Sequence, residues 1–357
     1  MLFRSIRLEN FRNYKEQEIE FHDKLNLFLG ENAQGKSNLL EALFIMGLGK
    51  SFRTNRDSEM IAFGENFARA SCLVEKDERK LGIDIYYQKE GKIIKVDGIK
   101  LNRSIELLEN VYIVIFSPED KKTVQEGPNH RRRFMDRELC QLKPVYYSDL
   151  GNYKRVLKQR NALLRNENRD KDLYRVFDET LADYALRIVS ERESFTERLR
   201  EISGDIHRKI SDGKEELNIE YETEFFEKKQ YKEQLAKNFE SDMRRGFTGS
   251  GPHKDDLRIE VNGKDIRTYG SQGQQRTAAL SMKLAELELI KKETGHNAIL
   301  LLDDVLSELD FGRQRYLIES MRDVQVFITA TDIDPNLRKM LPSGYEFRIE
   351  EGHAQRM

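Results

Sequence analysis

Leu25, Leu27, Phe28 and Leu29 form a short apolar run, and Leu39, Leu40, Leu43 and Phe44 follow it at three- and four-residue steps. That change of period predicts a buried strand handing over to a helix. Val111 to Phe116, Ile299 to Leu302 and Val324 to Thr329 are further apolar runs of buried-strand length. Asp97-Gly98, flanked by Ile93, Ile94 and Leu101, and Asn262-Gly263 are two-residue hairpin signals. Between these strand-rich ends the chain is charged and helical in pattern, with Gln141 to Arg165 and Asp172 to Ile210 as its two long candidates. Tyr184, Ile188, Phe195, Leu199, Ile202 and Ile206 keep an apolar seam along the second, which two antiparallel helices could share. Leu280, Leu284, Leu287 and Ile290 mark one more helix near the end. The pattern divides the chain into residues 1–116, a helical arm over 117–245, and a return of strands and glycines over 246–357.

Composition narrows the picture mainly by exclusion. The 357 residues include 61 Lys plus Arg against 63 Asp plus Glu, so any nucleic-acid partner must be met by a local basic face. Cys72 and Cys140 have no metal-site spacing and the six histidines no HxxxH pair, which fits thiols in a reducing cytoplasm. The longest apolar run, Val111 to Phe116, is far too short to cross a bilayer, so no membrane association is expected.

The candidate chemistry begins at Gly30-Glu31-Asn32-Ala33-Gln34-Gly35-Lys36-Ser37, a full G-x-x-x-x-G-K-[ST] phosphate loop at the predicted strand-to-helix turn, followed by Asn38. Glycines let several N–H groups point inward, and the helix offers its positive end. Lys36 supplies a point charge to β and γ phosphates, and Ser37 a hydroxyl to Mg²⁺. ATP and Mg²⁺ are the expected cofactors. Gly49 to Arg56 reads as a loop whose cations, Arg53 and Arg56 among them, could meet phosphate or DNA, or could simply be solvated. Arg131-Arg132-Arg133, with Arg137 nearby, repel one another unless DNA or internal carboxylates such as Asp136 and Glu138 offset them; DNA contact is the expectation.

Ser271-Gln272-Gly273-Gln274 opens the late helix, which alone would be ordinary capping chemistry. It is followed, however, by an apolar strand ending in Asp303-Asp304 and by Ser307-Glu308-Leu309-Asp310. Phosphate loop, long insertion, S-x-G-Q helix start, acidic strand end and S-x-L-D in this order resemble the ATP-binding-cassette heads of the SMC and Rad50 group. Within that group the chain is most similar to the RecF family of bacterial recombination mediators, over essentially its whole length. The likeness rests on Phe11-Arg12-Asn13-Tyr14, GENAQGKSN from Gly30, GKSFR from Gly49, FSPED from Phe116, RRRFMD from Arg131, GPHKDDL from Gly251 and SQGQQR from Ser271.

The resemblance implies an α/β fold: an ABC-type P-loop ATPase head with mixed β-sheets and an inserted helical arm. It implies a DNA repair ATPase that forms an ATP-dependent homodimer and clamps double-stranded DNA near gaps or single-strand/double-strand junctions, with RecR and RecO as partners. Lys36, Asp303 and Asp304 are then the catalytic residues: Asp303 reaches Mg²⁺ beside Ser37, and Asp304 orients the attacking water. Ser271, Gly273 and Gln274 would serve the ATP of the opposing subunit. Asp304 stands where the wider family usually has Glu, and Thr331 where it has His. With an ordinary carboxyl pKa of about 3.9, Asp304 is a poor proton acceptor and hydrolysis should be slow. Two other classes compete: a transporter's nucleotide-binding subunit, which usually has a shorter insertion than the 235 positions between Lys36 and Ser271, and a small-molecule kinase, which has no use for S-x-G-Q. Another SMC- or Rad50-like DNA ATPase is the nearest alternative.

Overall fold

The computed structural model describes residues 1–357 except 104 and 168. Its contacts divide the chain into two units, residues 1–120 with 283–357, and residues 121–282. The division falls inside the helix Gln272–Thr294, so residues 246–282 belong with the arm rather than with the C-terminal part of the head.

The first unit is built on two six-stranded sheets. In one, Leu25–Leu29 lies between Gly344–Glu350 and Val326–Ala330, and Ile299–Asp303 and Ile113–Phe116 complete a parallel set; His353–Arg356 adds an antiparallel edge. Strands buried on both faces read as continuous apolar runs, which is why four residues of Ile113–Phe116 and all five of Val326–Ala330 are buried. The second sheet is antiparallel and begins with the hairpin of Leu2–Phe11 and Tyr14–Glu20. It alternates instead: Ala68, Ala70, Cys72 and Val74 face inward along Phe67–Lys76. The helix Lys36–Leu48 contacts strands of both sheets and buries Leu39, Leu40, Leu43, Phe44 and Ile45 in one continuous core. Both hairpin signals are turns. Asp97-Gly98 and Asn262-Gly263 have all four φ values positive, as a two-residue I′ turn requires.

The second unit contains helices Pro128–Leu142, Pro144–Arg165, Lys171–Ile210 and Lys228–Arg245 with an antiparallel sheet of Leu217–Glu222, Asp256–Val261 and Lys264–Asp265. The first long candidate thus starts three residues later than expected, at Pro144, whose fixed φ suits a first helical turn. The second starts at Lys171, where Asp170 accepts from the N–H groups of Asp172 and Leu173 as N-cap. Ile188, Phe195, Leu199, Ile202 and Ile206 are buried along it; Tyr184 is only half-buried.

Charge is also buried in this unit. Arg160, wholly inaccessible, donates to Asp178 at 2.7 Å, to Asp242 at 3.1 Å and to the Thr248 hydroxyl at 2.8 Å, joining three helices and the loop after the last. Arg192 donates to Tyr146, Asp136 and the Pro252 carbonyl. Such pairs are costly to bury and costlier to break, because removing one partner strands the other charge without water. Arg160→Met is therefore expected to destabilise the protein by about 3–5 kcal/mol. The measurement is the chemical-denaturation midpoint of the arm helices; a loss below about 1 kcal/mol would show that the network does not hold them.

Candidate functional site

Parallel strands open a crevice at their carboxyl ends, and here three adjacent ends carry the chemistry. Register sets Phe28 beside Thr329 and Thr329 beside Asp303, so the phosphate loop leaves the sheet two strands away from the acidic pair. Ser37 Oγ donates to Asp303 Oδ1 at 2.8 Å, and Thr329 Oγ1 donates to the same oxygen at 2.9 Å. A hydroxyl and a carboxylate converging in this way are hard oxygen donors of the kind Mg²⁺ takes, with substrate phosphates completing its shell.

The loop itself is braced from three directions. Gly35, with φ 115°, is the residue before the helix, and a Cβ there would stand 2.5 Å from the Asn13 side chain. Only glycine fits this conformation and approach. Asn13 Nδ2 donates to Gln34 O at 3.0 Å, Tyr14 OH to Gly35 O at 3.0 Å and Asn38 Nδ2 to Asn13 Oδ1 at 2.8 Å. From the other side Gly352 N donates to Gln34 O at 3.0 Å and Glu351 N to Gln34 Oε1 at 2.7 Å. Gly30 packs under Ile349, whose carbonyl a Cβ would meet at 2.3 Å. Glu31, Asn32 and Ala33 form the exposed rim, Ala33 with φ 66°. Lys36 Nζ lies inside the loop and donates to Gly30 O at 2.7 Å and Glu31 O at 2.9 Å, two of its three N–H groups.

Beneath the loop, Glu41 is a wholly buried carboxylate within the otherwise apolar stretch 39–48 of the loop helix. Arg12 donates to both its oxygens at 2.9 Å, and Ser51 donates to Oε1. Arg53 stands 3.7 Å from it and donates to Asn38 Oδ1 at 2.7 Å, so this cation borders the loop instead of standing free. Arg56 is exposed. The single acid within Leu39-Leu40-Glu41-Ala42-Leu43-Phe44 was the readable sign of Glu41; Arg12, Asn13 and Tyr14 stood out only through the family likeness.

Asp304 has φ 53°. Burial raises its pKa, with Lys36 opposing and Asp303 adding to the rise. This corrects the expectation of an ordinary carboxyl, since partial desolvation penalises the charged form and makes the group a better proton acceptor. Thr331 is exposed and, with Asp304, Ser307 and Gln314, lines a cleft of about 220 Å³. Asp310 N-caps the helix Phe311–Ser320 through the N–H of Arg313 at 3.0 Å.

In the second unit, Ser271 and Gln274 cap the long helix reciprocally: Ser271 N donates to Gln274 Oε1 at 2.9 Å and Gln274 N to Ser271 Oγ at 3.2 Å. Ser271 is exposed and Gly273 half-buried, so this helix start faces outward. The arginine run requires a correction. On Pro128–Leu142 residues 131, 134, 135, 138 and 139 share the inward face, and Arg131 is buried with a two-pronged bond to Asp256 at 2.6 and 2.7 Å. Its guanidinium is committed inside the unit, not to DNA. Arg132, half-buried, donates to Asp255 O at 2.5 Å and to Asn129; Arg133 is exposed. Asp136 pairs with Arg192, while Glu138 accepts from Arg137. Among the described residues no helix is long and apolar enough to cross a membrane.

Comparison with known proteins agrees with this geometry. Residues 2–340 match the family described as RecF/RecN/SMC N terminal domain. The chain is 42% identical to the DNA replication and repair protein RecF of Agathobacter rectalis, over 99% of each chain. It is 44% identical to that of Alkaliphilus oremlandii over 93% of each. A solved structure of the recombination mediator protein RecF with ATP superposes with a TM-score of 0.93 at 38% identity, covering 99% of this chain and 97% of the other. An SMC head superposes at 0.58 with 17% identity, a likeness of fold alone. With an ABC-type ATPase head, a helical arm and full-length identity of this order, the chain belongs to the RecF family.

Proposed function

We propose that this protein is an ATP-dependent DNA-binding protein of recombinational repair and replication, in which two copies close on two ATP molecules and hold double-stranded DNA beside a gap or junction. Slow hydrolysis then releases it, and RecR and RecO are the protein partners. The observation that carries the nucleotide half is the Ser37 to Asp303 contact at 2.8 Å at the mouth of a phosphate loop. The named relatives support the role in repair and replication, and the ATP-bound neighbour, described as part of the RecFOR pathway, supports ATP as the nucleotide and the class of protein partners.

The roles follow from the side chains. Lys36 trades its bonds to two loop carbonyls for phosphate oxygens, a charge-assisted exchange at no cost in lysine order. Ser37 and Asp303 would hold Mg²⁺, which supplies charge neutralisation to the phosphates when bound. Asp304 positions water and takes up its proton, its raised pKa favouring that role. The outward Ser271 end offers N–H groups and a hydroxyl to the other copy's γ-phosphate. Arg53, Arg56 and Arg133 are the cations proposed for DNA. A transporter subunit is not favoured, because the inserted unit carries the long helices named above and its own sheet.

Three outcomes are expected. Turnover should be weak, DNA-stimulated and well below roughly 10 per second, since Asp304 is one methylene shorter than Glu and Thr331 offers no imidazole; a steady-state rate at that level would contradict a timer. Lys36→Met should abolish ATP-dependent retention on duplex DNA in a gel or filter assay, and undiminished retention would remove Lys36 from the mechanism. Ser271→Arg should leave ATP binding intact, keep the protein monomeric by light scattering, and hold the salt dependence of DNA binding shallow. Wild type with ATP should steepen by roughly 0.9 per added phosphate contact. A monomeric Ser271→Arg protein with the full ATP-dependent gain in DNA affinity would refute the two-copy clamp.

A further inference from the structure

Val326–Ala330 is wholly buried, and four of its five residues are apolar. Thr329 breaks that pattern with a hydroxyl that must be bonded to be tolerated there. A valine would fill the same volume with equal liking for a strand, so packing alone gives no reason for the oxygen. The oxygen is used twice. Oγ1 donates its hydrogen to Asp303 Oδ1 at 2.9 Å, with Leu302 O farther at 3.3 Å, and it accepts the N–H of Asp304 at 3.0 Å. The same N–H reaches the Thr329 carbonyl at 3.3 Å. Asp304 holds φ 53°, a left-handed conformation that costs a residue with a side chain and persists only where its surroundings enforce it.

We infer that Thr329 is a positioning residue for ATP hydrolysis, orienting the Asp303 carboxylate and fixing the backbone of Asp304 through one buried hydroxyl. The inference rests on the reading of these two acids given above. Thr329 acts through them. It holds Asp303 Oδ1, the oxygen that also accepts from Ser37, and it fixes the left-handed backbone of Asp304.

The test uses the full chain with Thr329→Val and Thr329→Ser, and reads two quantities. Nucleotide affinity is measured in EDTA and across a Mg²⁺ titration, and cleavage is followed in single-turnover conditions. Thr329→Val should keep the metal-free ATP affinity within about twofold, need about tenfold more Mg²⁺ for half-maximal effect, and cleave about 10–100-fold more slowly, the range for losing a hydrogen bond to a charged group. Thr329→Ser should return both quantities to within about threefold of wild type. A valine variant with wild-type Mg²⁺ dependence and rate overturns the inference, and so does a serine variant as impaired as valine, which would assign the effect to packing. Asp303→Asn separates the two levels. If it abolishes the Mg²⁺ effect while Thr329→Val does not, only the inference fails; if neither variant changes it, the reading of the acids fails as well.

Discussion

The site depends on strand order. Leu25–Leu29, Val326–Ala330 and Ile299–Asp303 are neighbours in one parallel set, although the chain visits them far apart. Parallel neighbours share a carboxyl edge, so the phosphate loop, Thr329 and Asp303 must meet there, and the bond between Ser37 and Asp303 joins residues 266 positions apart. Remove the adjacency and the glycine loop is only a turn. Keep it, and a lysine, a hydroxyl and two carboxylates come within reach of one phosphate group.

The second constraint is the carboxylate under the loop. Glu41 sits where an apolar side chain would serve packing better, and its charge is tolerable only because Arg12 meets it with both prongs and Ser51 adds a further donor. That arrangement ties the first hairpin, the loop helix and the Gly49 to Arg56 segment to one point. A cation bordering the phosphates, Arg53, is thereby held in register with the loop through Asn38.

Much of this was legible in residue order. The period change at Gly30 to Ser37, the run ending in Asp303-Asp304 and the two hairpin dipeptides each encode local geometry, and local geometry is what a sequence states directly. Arg131 shows where that ends. Four arginines in seven residues look like an exposed basic patch, but the helix turns one of them inward to Asp256, a partner 125 positions away that no local pattern announces. The division between units moved for a similar reason: residues 246–282 resemble the head in composition, yet their strand Asp256–Val261 pairs with Leu217–Glu222. Thr329 was hidden inside an apolar run, where a lone threonine passes as another β-branched residue.

The bracing of the phosphate loop by Glu351 and Gly352 has a consequence for biosynthesis. Gln34 bonds to an amide 317 residues later, and Gly30 packs beneath Ile349. A ribosome adding 5–20 residues per second takes roughly 15–60 s to supply that second wall after the loop has been made. Throughout that interval the nascent chain carries a complete glycine motif braced only from the Asn13 and Tyr14 side, and the strands of Asp303 and Thr329 are also missing for most of the time. A chain interrupted before Ile349 therefore lacks one wall of its phosphate loop, and would offer nucleotide the loop as held from the Asn13 and Tyr14 side alone.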